Sequence, residues 1–114
     1  MNENLRGSCP LQALAGVIGG KWKIAILGHL RLGGPARPSE LRRRIQGVSE
    51  KVLNQQISQL VQAGLVERRD HKTVPPHVDY RLSRKGTELS RLMGPLAEWS
   101  AANLTDASRG TESG

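Results

Sequence analysis

Glycine punctuation constrains this chain more than any other feature. Gly19-Gly20, Gly33-Gly34-Pro35, Gly47 and Gly64 cut its first half into pieces of helical length, and each piece carries an apolar repeat of helical period. The first piece opens at Pro10, which suits an initial helical turn because the N–H it lacks would have no partner there. Leu11, Leu14, Ala15 and Ile18 then share one face. In the second, Trp22, Ala25, Ile26 and Leu30 line one side and Ile24 and Leu27 a second, which predicts burial on more than one face. The third runs from Pro38-Ser39-Glu40 to Gln46, with Leu41 and Ile45 inward and Arg42, Arg43 and Arg44 mostly outward.

The fourth piece, Ser49 to Ala63, has the sharpest division. Ser49 is a good N-cap, and Leu53, Ile57, Leu60 and Val61 form one stripe with Val52 beside it. The opposite face carries Lys51, Gln55, Ser58 and Gln62, flanked by Asn54 and Gln59, and is polar yet almost uncharged.

After Gly64 the period changes. Leu65–Arg69 and Val78–Leu82 read as strands around an Asp70–His77 loop, where Pro75-Pro76 cannot donate to a ladder. Ser83 caps a last helix with Leu89, Leu92, Met93 and Leu96 on its apolar side. Gly94-Pro95 is expected to kink or interrupt that helix before Trp99 and Leu104 continue it. Residues 1–8 are expected to be a flexible N-terminus, 9–104 the domain, and 105–114 a disordered tail.

At 114 residues there is room for one core. No apolar run approaches the roughly 20 residues of a membrane helix, and Met1–Ser8 has no secretory-signal pattern. A cytoplasmic, nucleoid-associated location is expected, without a membrane partner. Cys9 stands alone, so an intramolecular disulfide is excluded.

The net charge of +7 is unevenly placed: Lys21–Lys85 holds 14 of the 17 Lys and Arg but only 5 of the 10 acidic residues. Such a field attracts polyanions, and release of condensed counterions makes nucleic acid the first partner to consider. Charge alone does not choose between DNA, RNA and anionic lipid, and solvated surface charge is the plainer alternative. With one Tyr, two Trp and no Phe, a stacking platform for single strands is disfavoured.

The order helix, helix, helix, hairpin predicts a mainly α fold with a small β-hairpin wing. Pro38–Gln46 and Ser49–Ala63, joined by Gly47-Val48, form a helix-turn-helix within that winged helix-turn-helix fold. Such a helix fits the major groove of duplex DNA, where Asn and Gln pair with adenine and Lys with guanine. Lys51, Asn54, Gln55 and Ser58 are therefore the candidate base readers. Ser39, Arg42, Arg43, Ser49, Arg68, Lys72 and His77 are the candidates for phosphate and wing contact, although consecutive arginines diverge around a helix and edge-strand charges also discourage aggregation. His71, Arg69 and Arg81 add to the basic hairpin. Leu11, Leu14, Leu92, Leu96 and Trp99, on the terminal helices, are expected to form a homodimer interface, since a domain this small completes its core across a two-fold axis. The dimer would meet a pseudo-palindromic operator.

Cys9-Pro10, Gly19-Gly20-Lys21-Trp22, Glu40-Leu41-Arg42, Ser49 through Leu53, Gly64-Leu65-Val66 and Val74-Pro75-Pro76-His77-Val78-Asp79-Tyr80 together resemble the HxlR-type regulators of bacteria and archaea. The resemblance spans Cys9 to about Trp99. It implies a dimeric winged-helix repressor or activator whose terminal helices build the interface. It also implies that Cys9 matches a position some relatives use as a thiol switch, which an oxidant or small electrophile would address. An inert packing role is the alternative. The sequence departs from the family in His77, where many members carry Arg, and in Gly94 before Pro95.

Two readings compete with a sequence-specific repressor: a non-specific architectural DNA protein and a winged-helix protein-interaction module. An enzyme is not expected, because no Ser-His-Asp, P-loop or dinucleotide signature occurs. His29, His71 and His77 have no zinc-ligand spacing with Cys9, so neither metal nor cofactor is expected.

Overall fold

The computed structural model describes residues 9–105, and the expected flexible start (1–8) and the tail past Thr105 lie outside the described residues. Among the described residues five α-helices and a hairpin follow in the order α1 (Pro10–Ile18), α2 (Lys21–Gly33), α3 (Pro38–Arg44), α4 (Glu50–Gln62), β1 (Val66–Asp70), β2 (Val78–Leu82) and α5 (Arg84–Ser100). A π-helical turn, Ala101–Thr105, extends α5, so Thr105 closes the helical run rather than opening the tail.

The elements start and stop where local chemistry satisfies the backbone. Ser49 Oγ accepts the Val52 N–H at 3.1 Å and so caps α4. At α3 the Glu40 carboxylate accepts the Arg37 N–H at 2.8 Å. That hydrogen bond, followed by the charges of Arg44, Arg43 and Arg37, holds the Glu40 carboxyl below the usual glutamate range. Helix α4 ends in a Schellman pair, with Leu65 N–H donating to Leu60 O and Gly64 N–H to Val61 O, both at 3.0 Å. The pair requires a left-handed residue, which Gly64 supplies at φ +81°.

This termination corrects the expected strand boundary. Leu65 was expected to open β1, but its N–H serves the end of α4 and its carbonyl accepts the Ser83 N–H at 2.9 Å. The strand therefore begins at Val66 and pairs antiparallel from Val66↔Leu82 to Asp70↔Val78. Ala36 adds a single-residue third rung, exchanging both backbone hydrogen bonds with Tyr80 at 2.9 Å.

The largest fully buried side chains among the described residues are Ile26 and Leu27 of α2, Leu41 of α3, and Leu53, Ile57 and Leu60 of α4. Each stabilises the fold by about 1.5–3 kcal/mol relative to exposure. Trp22 packs against this cluster beside Gly47, at the turn between α3 and α4. Two expectations need correction. Ile24, placed with Leu27 on a second buried face of α2, is 46% exposed, because it borders a groove facing Met93 and Ala97 of α5. Helix α5 runs through Gly94-Pro95 without interruption. Proline there removes the donor that would serve the Arg91 carbonyl, and both residues are on the exposed side of the helix, where losing one backbone hydrogen bond costs least.

Candidate nucleic-acid interface

On α4 the buried stripe of Leu53, Ile57 and Leu60 sets the direction of the opposite face. Lys51, Asn54, Gln55 and Ser58 are consequently all exposed, together with Gln59 and Gln62. Among the described residues none of the four has a side-chain hydrogen bond or ion pair, and they form one surface of amide, hydroxyl and ammonium donors.

Helix α3 borders that surface. Arg42 reaches Glu50 in the first turn of α4 at 3.7 Å, an exposed pair that orients the guanidinium but contributes little stability. Ser39 and Arg43 line an open cavity of about 460 Å³ with Pro35, Arg37, Glu40, His77 and Asp79. The tertiary fold thus gathers Ser39, Arg43 and His77, far apart in sequence, around one concave polar surface. Ser49 is exposed, with its hydroxyl engaged as the α4 cap.

The hairpin extends beyond this surface. Arg68 is exposed on β1, and Lys72 sits in the loop at φ +55°, its N–H held by Asp70 Oδ1 at 2.9 Å. Such a turn presents the Lys72 side chain outward. Arg81, by contrast, is directed across the ladder to its paired residue Glu67 at 3.4 Å. His77 is half-buried, stacked on His71 at 4.2 Å and 3.7 Å from Asp79. Val74, 98% exposed in the loop, was not foreseen as a surface feature, and its position next to Pro75-Pro76 is the signal that marks it as non-core.

The residues assigned to the dimer interface lie away from this face. No side chain of α1 is buried, and Leu11, Leu92, Leu96 and Trp99 are 71%, 66%, 61% and 56% exposed. Leu14 meets Leu92 across an apolar groove of about 340 Å³, completed by Val17, Leu65 and Leu89. Leu32, exposed at the end of α2, adds an apolar residue that periodicity did not mark. Cys9 is the partly buried N-cap of α1, and its N–H donates to Gln12 Oε1 at 3.0 Å. Among the described residues no helix is long and apolar enough to cross a membrane.

Comparison with known proteins agrees with this geometry. The HxlR-like helix-turn-helix family matches residues 17–108. The HTH-type transcriptional regulator YtfH of Escherichia coli (strain K12) is 40% identical over 98 residues, covering 86% of this chain and 77% of that protein. The solved structure of the transcriptional regulator ytfH from Salmonella typhimurium superimposes with a TM-score of 0.74 at 38% identity, covering 91% of this chain and 92% of that one. The redox regulator HypR in its reduced form superimposes with a TM-score of 0.77 at 32% identity, covering 88% of this chain and 98% of that one. A winged helix-turn-helix whose sequence matches over most of its length places the chain in the HxlR-like helix-turn-helix family of DNA-binding transcriptional regulators.

Proposed function

We propose that the protein is a sequence-specific regulator, acting as a homodimer on a pseudo-palindromic operator, and that it represses transcription from it. The observation that carries this reading is the almost uncharged, amide-rich face of α4, exposed opposite a fully buried stripe and bordered by Arg42 of α3. Lys51, Asn54, Gln55 and Ser58 read base edges in the major groove. Ser39, Arg42, Arg43, Ser49, Arg68, Lys72 and His77 hold the phosphate backbone. The two-fold axis passes through α1 and α5, whose exposed Leu11, Leu14, Leu92, Leu96 and Trp99 gain cover from the second protomer. Residues 9–104 form the folding unit of each protomer, and the dimer works on the nucleoid in the cytoplasm.

The deciding experiment is a genome-wide footprint followed by competition binding against random duplex. A dyad-symmetric footprint with a large affinity ratio over random DNA is expected. Equal affinity for all duplexes identifies an architectural protein instead, and no duplex binding with capture of an acidic protein identifies an interaction module.

We also infer that Cys9 makes operator binding responsive to oxidants or electrophiles. Its place at the start of an otherwise exposed helix on the dimer side, and the likeness to a solved redox regulator, support this reading.

A further inference from the structure

The hairpin register gathers three metal-binding side chains on one side of the wing. The ladder reaches Asp70↔Val78, and the His71 N–H then donates to His77 O at 2.9 Å, so His71 and His77 stand opposite one another. Asp79 lies two residues along β2 from His77 and therefore projects to the same side. The imidazoles stack with centroids 4.2 Å apart at 29°. His71 Nε2 lies 2.9 Å and His77 Nε2 3.7 Å from the same oxygen, Asp79 Oδ2. All three donor atoms fall within 4.8 Å of one another. A tetrahedral ion with bonds of about 2.0–2.1 Å holds its ligands about 3.4 Å apart, which lies inside the observed range.

A hydrogen bond between His71 and Asp79 does not by itself account for the cluster. It uses one imidazole and one carboxylate oxygen, while the second imidazole is packed against the first. Asp79 is only 13% exposed, and its other oxygen, Oδ1, is buried without a hydrogen-bond partner. Leaving such an acceptor unpaired on an ionised carboxylate is costly, and a cation bound to the same carboxylate draws on its charge and so lowers the cost.

We propose that the wing binds one divalent transition-metal ion of the zinc class through His71, His77 and Asp79, with a fourth position open to water. Two imidazole nitrogens select such an ion over magnesium or calcium, which prefer oxygen. Glu40, Arg37 and Arg43 line the cavity beside His77 and Asp79. The two guanidiniums oppose the cation and the Glu40 carboxylate partly offsets them, so affinity is moderate rather than that of a closed structural site. The ion joins the loop that carries Lys72 and Val74 to strand β2, stiffening the tip of the hairpin. This inference stands whether or not the hairpin touches DNA.

The test is titration of the untagged full chain with Zn²⁺ by calorimetry, with Co²⁺ absorption as an independent readout. One Zn²⁺ per chain is expected, and His71→Gln, His77→Gln and Asp79→Asn each weaken it at least about tenfold. Cys9→Ser and His29→Gln leave binding unchanged, and Mg²⁺ gives no heat. Far-UV circular dichroism of the metal-free variants should match the parent, because the hairpin ladder is held by backbone hydrogen bonds that none of the three side chains supplies. The Co²⁺ complex of the parent should show ligand-field bands without thiolate charge transfer, a readout that needs no variant. Absence of saturable Zn²⁺ binding below about 1 mM overturns the proposal, as does binding that survives all three substitutions or is lost in Cys9→Ser.

Discussion

At Gly86 the backbone of α5 passes so close to the Leu65 carbonyl that a Cβ there would collide with it. The approach is drawn tight by Ser83, whose hydroxyl accepts the Gly86 N–H at 2.9 Å and donates to Gly64 O at 2.6 Å. Gly86→Ala must therefore push apart the end of α4 and the start of α5. We expect a loss of about 3 kcal/mol, read as a lower urea midpoint at unchanged slope. A midpoint within error of the parent would show that the junction yields. Gln55 is the opposite kind of residue, exposed and stabilising nothing in the free chain. Gln55→Ala should leave the urea midpoint alone and cost about 1–3 kcal/mol at the operator, with little loss on random DNA. Equal losses on both duplexes would remove Gln55 from base reading. Its direction was legible in the sequence, because Leu53, Ile57 and Leu60 leave the helix no other way to turn. Gly86 carried no such signal, since the carbonyl it avoids belongs to another element.

Among the elements, α4 and the hairpin divide the proposed labour of reading and gripping. The hairpin offers Arg68 and Lys72 free of acidic partners among the ion pairs of the described residues, whereas Arg81 is spent on Glu67. Arg68→Ala or Lys72→Ala should weaken binding to operator and random DNA alike and lower the salt slope by about one. An unchanged slope in either variant would take that residue off the phosphates. The strand pattern of Val78–Leu82 was readable because apolar and charged residue types alternate along it and Ser83 ends the run. The boundary at Leu65 was not, because an apolar residue after a glycine serves a Schellman close as well as a strand. Nor did His71 and His77 read as partners: only the register, which places the loop ends opposite each other, brings them together.

For the whole molecule, Leu11 of α1 and Leu92, Leu96 and Trp99 of α5 remain exposed within one chain. Leu92 is 66% exposed, so Leu92→Asp removes nothing from the protomer's core. A soluble, folded monomer in sedimentation velocity is expected, with operator affinity reduced because each half-site is then bound separately. A dimer that persists would place the two-fold axis elsewhere. The proposed thiol response belongs to this scale as well. If two Cys9 thiols of a dimer join, one S–S bond forms and two protons and two electrons pass to the oxidant. Oxidant treatment should change operator affinity in the parent and leave Cys9→Ser unaffected. A response that persists in Cys9→Ser would acquit the thiol.

The sequence by itself determined the helices, their apolar stripes, the hairpin and the basic middle of the chain, because helical period, caps and glycine stops act within a few residues. Only the tertiary structure decided which apolar faces the chain covers. Ile26 and Ile24 carry identical side chains two residues apart, yet one is fully buried between helices and the other borders an open groove against α5. The same holds for charge and polarity. Ser39, Arg43 and His77 share one cavity because the Ala36–Tyr80 bridge ties the segment leading into α3 to strand β2, and no periodicity records a contact between residues whose nearness depends on how separate elements are joined in space.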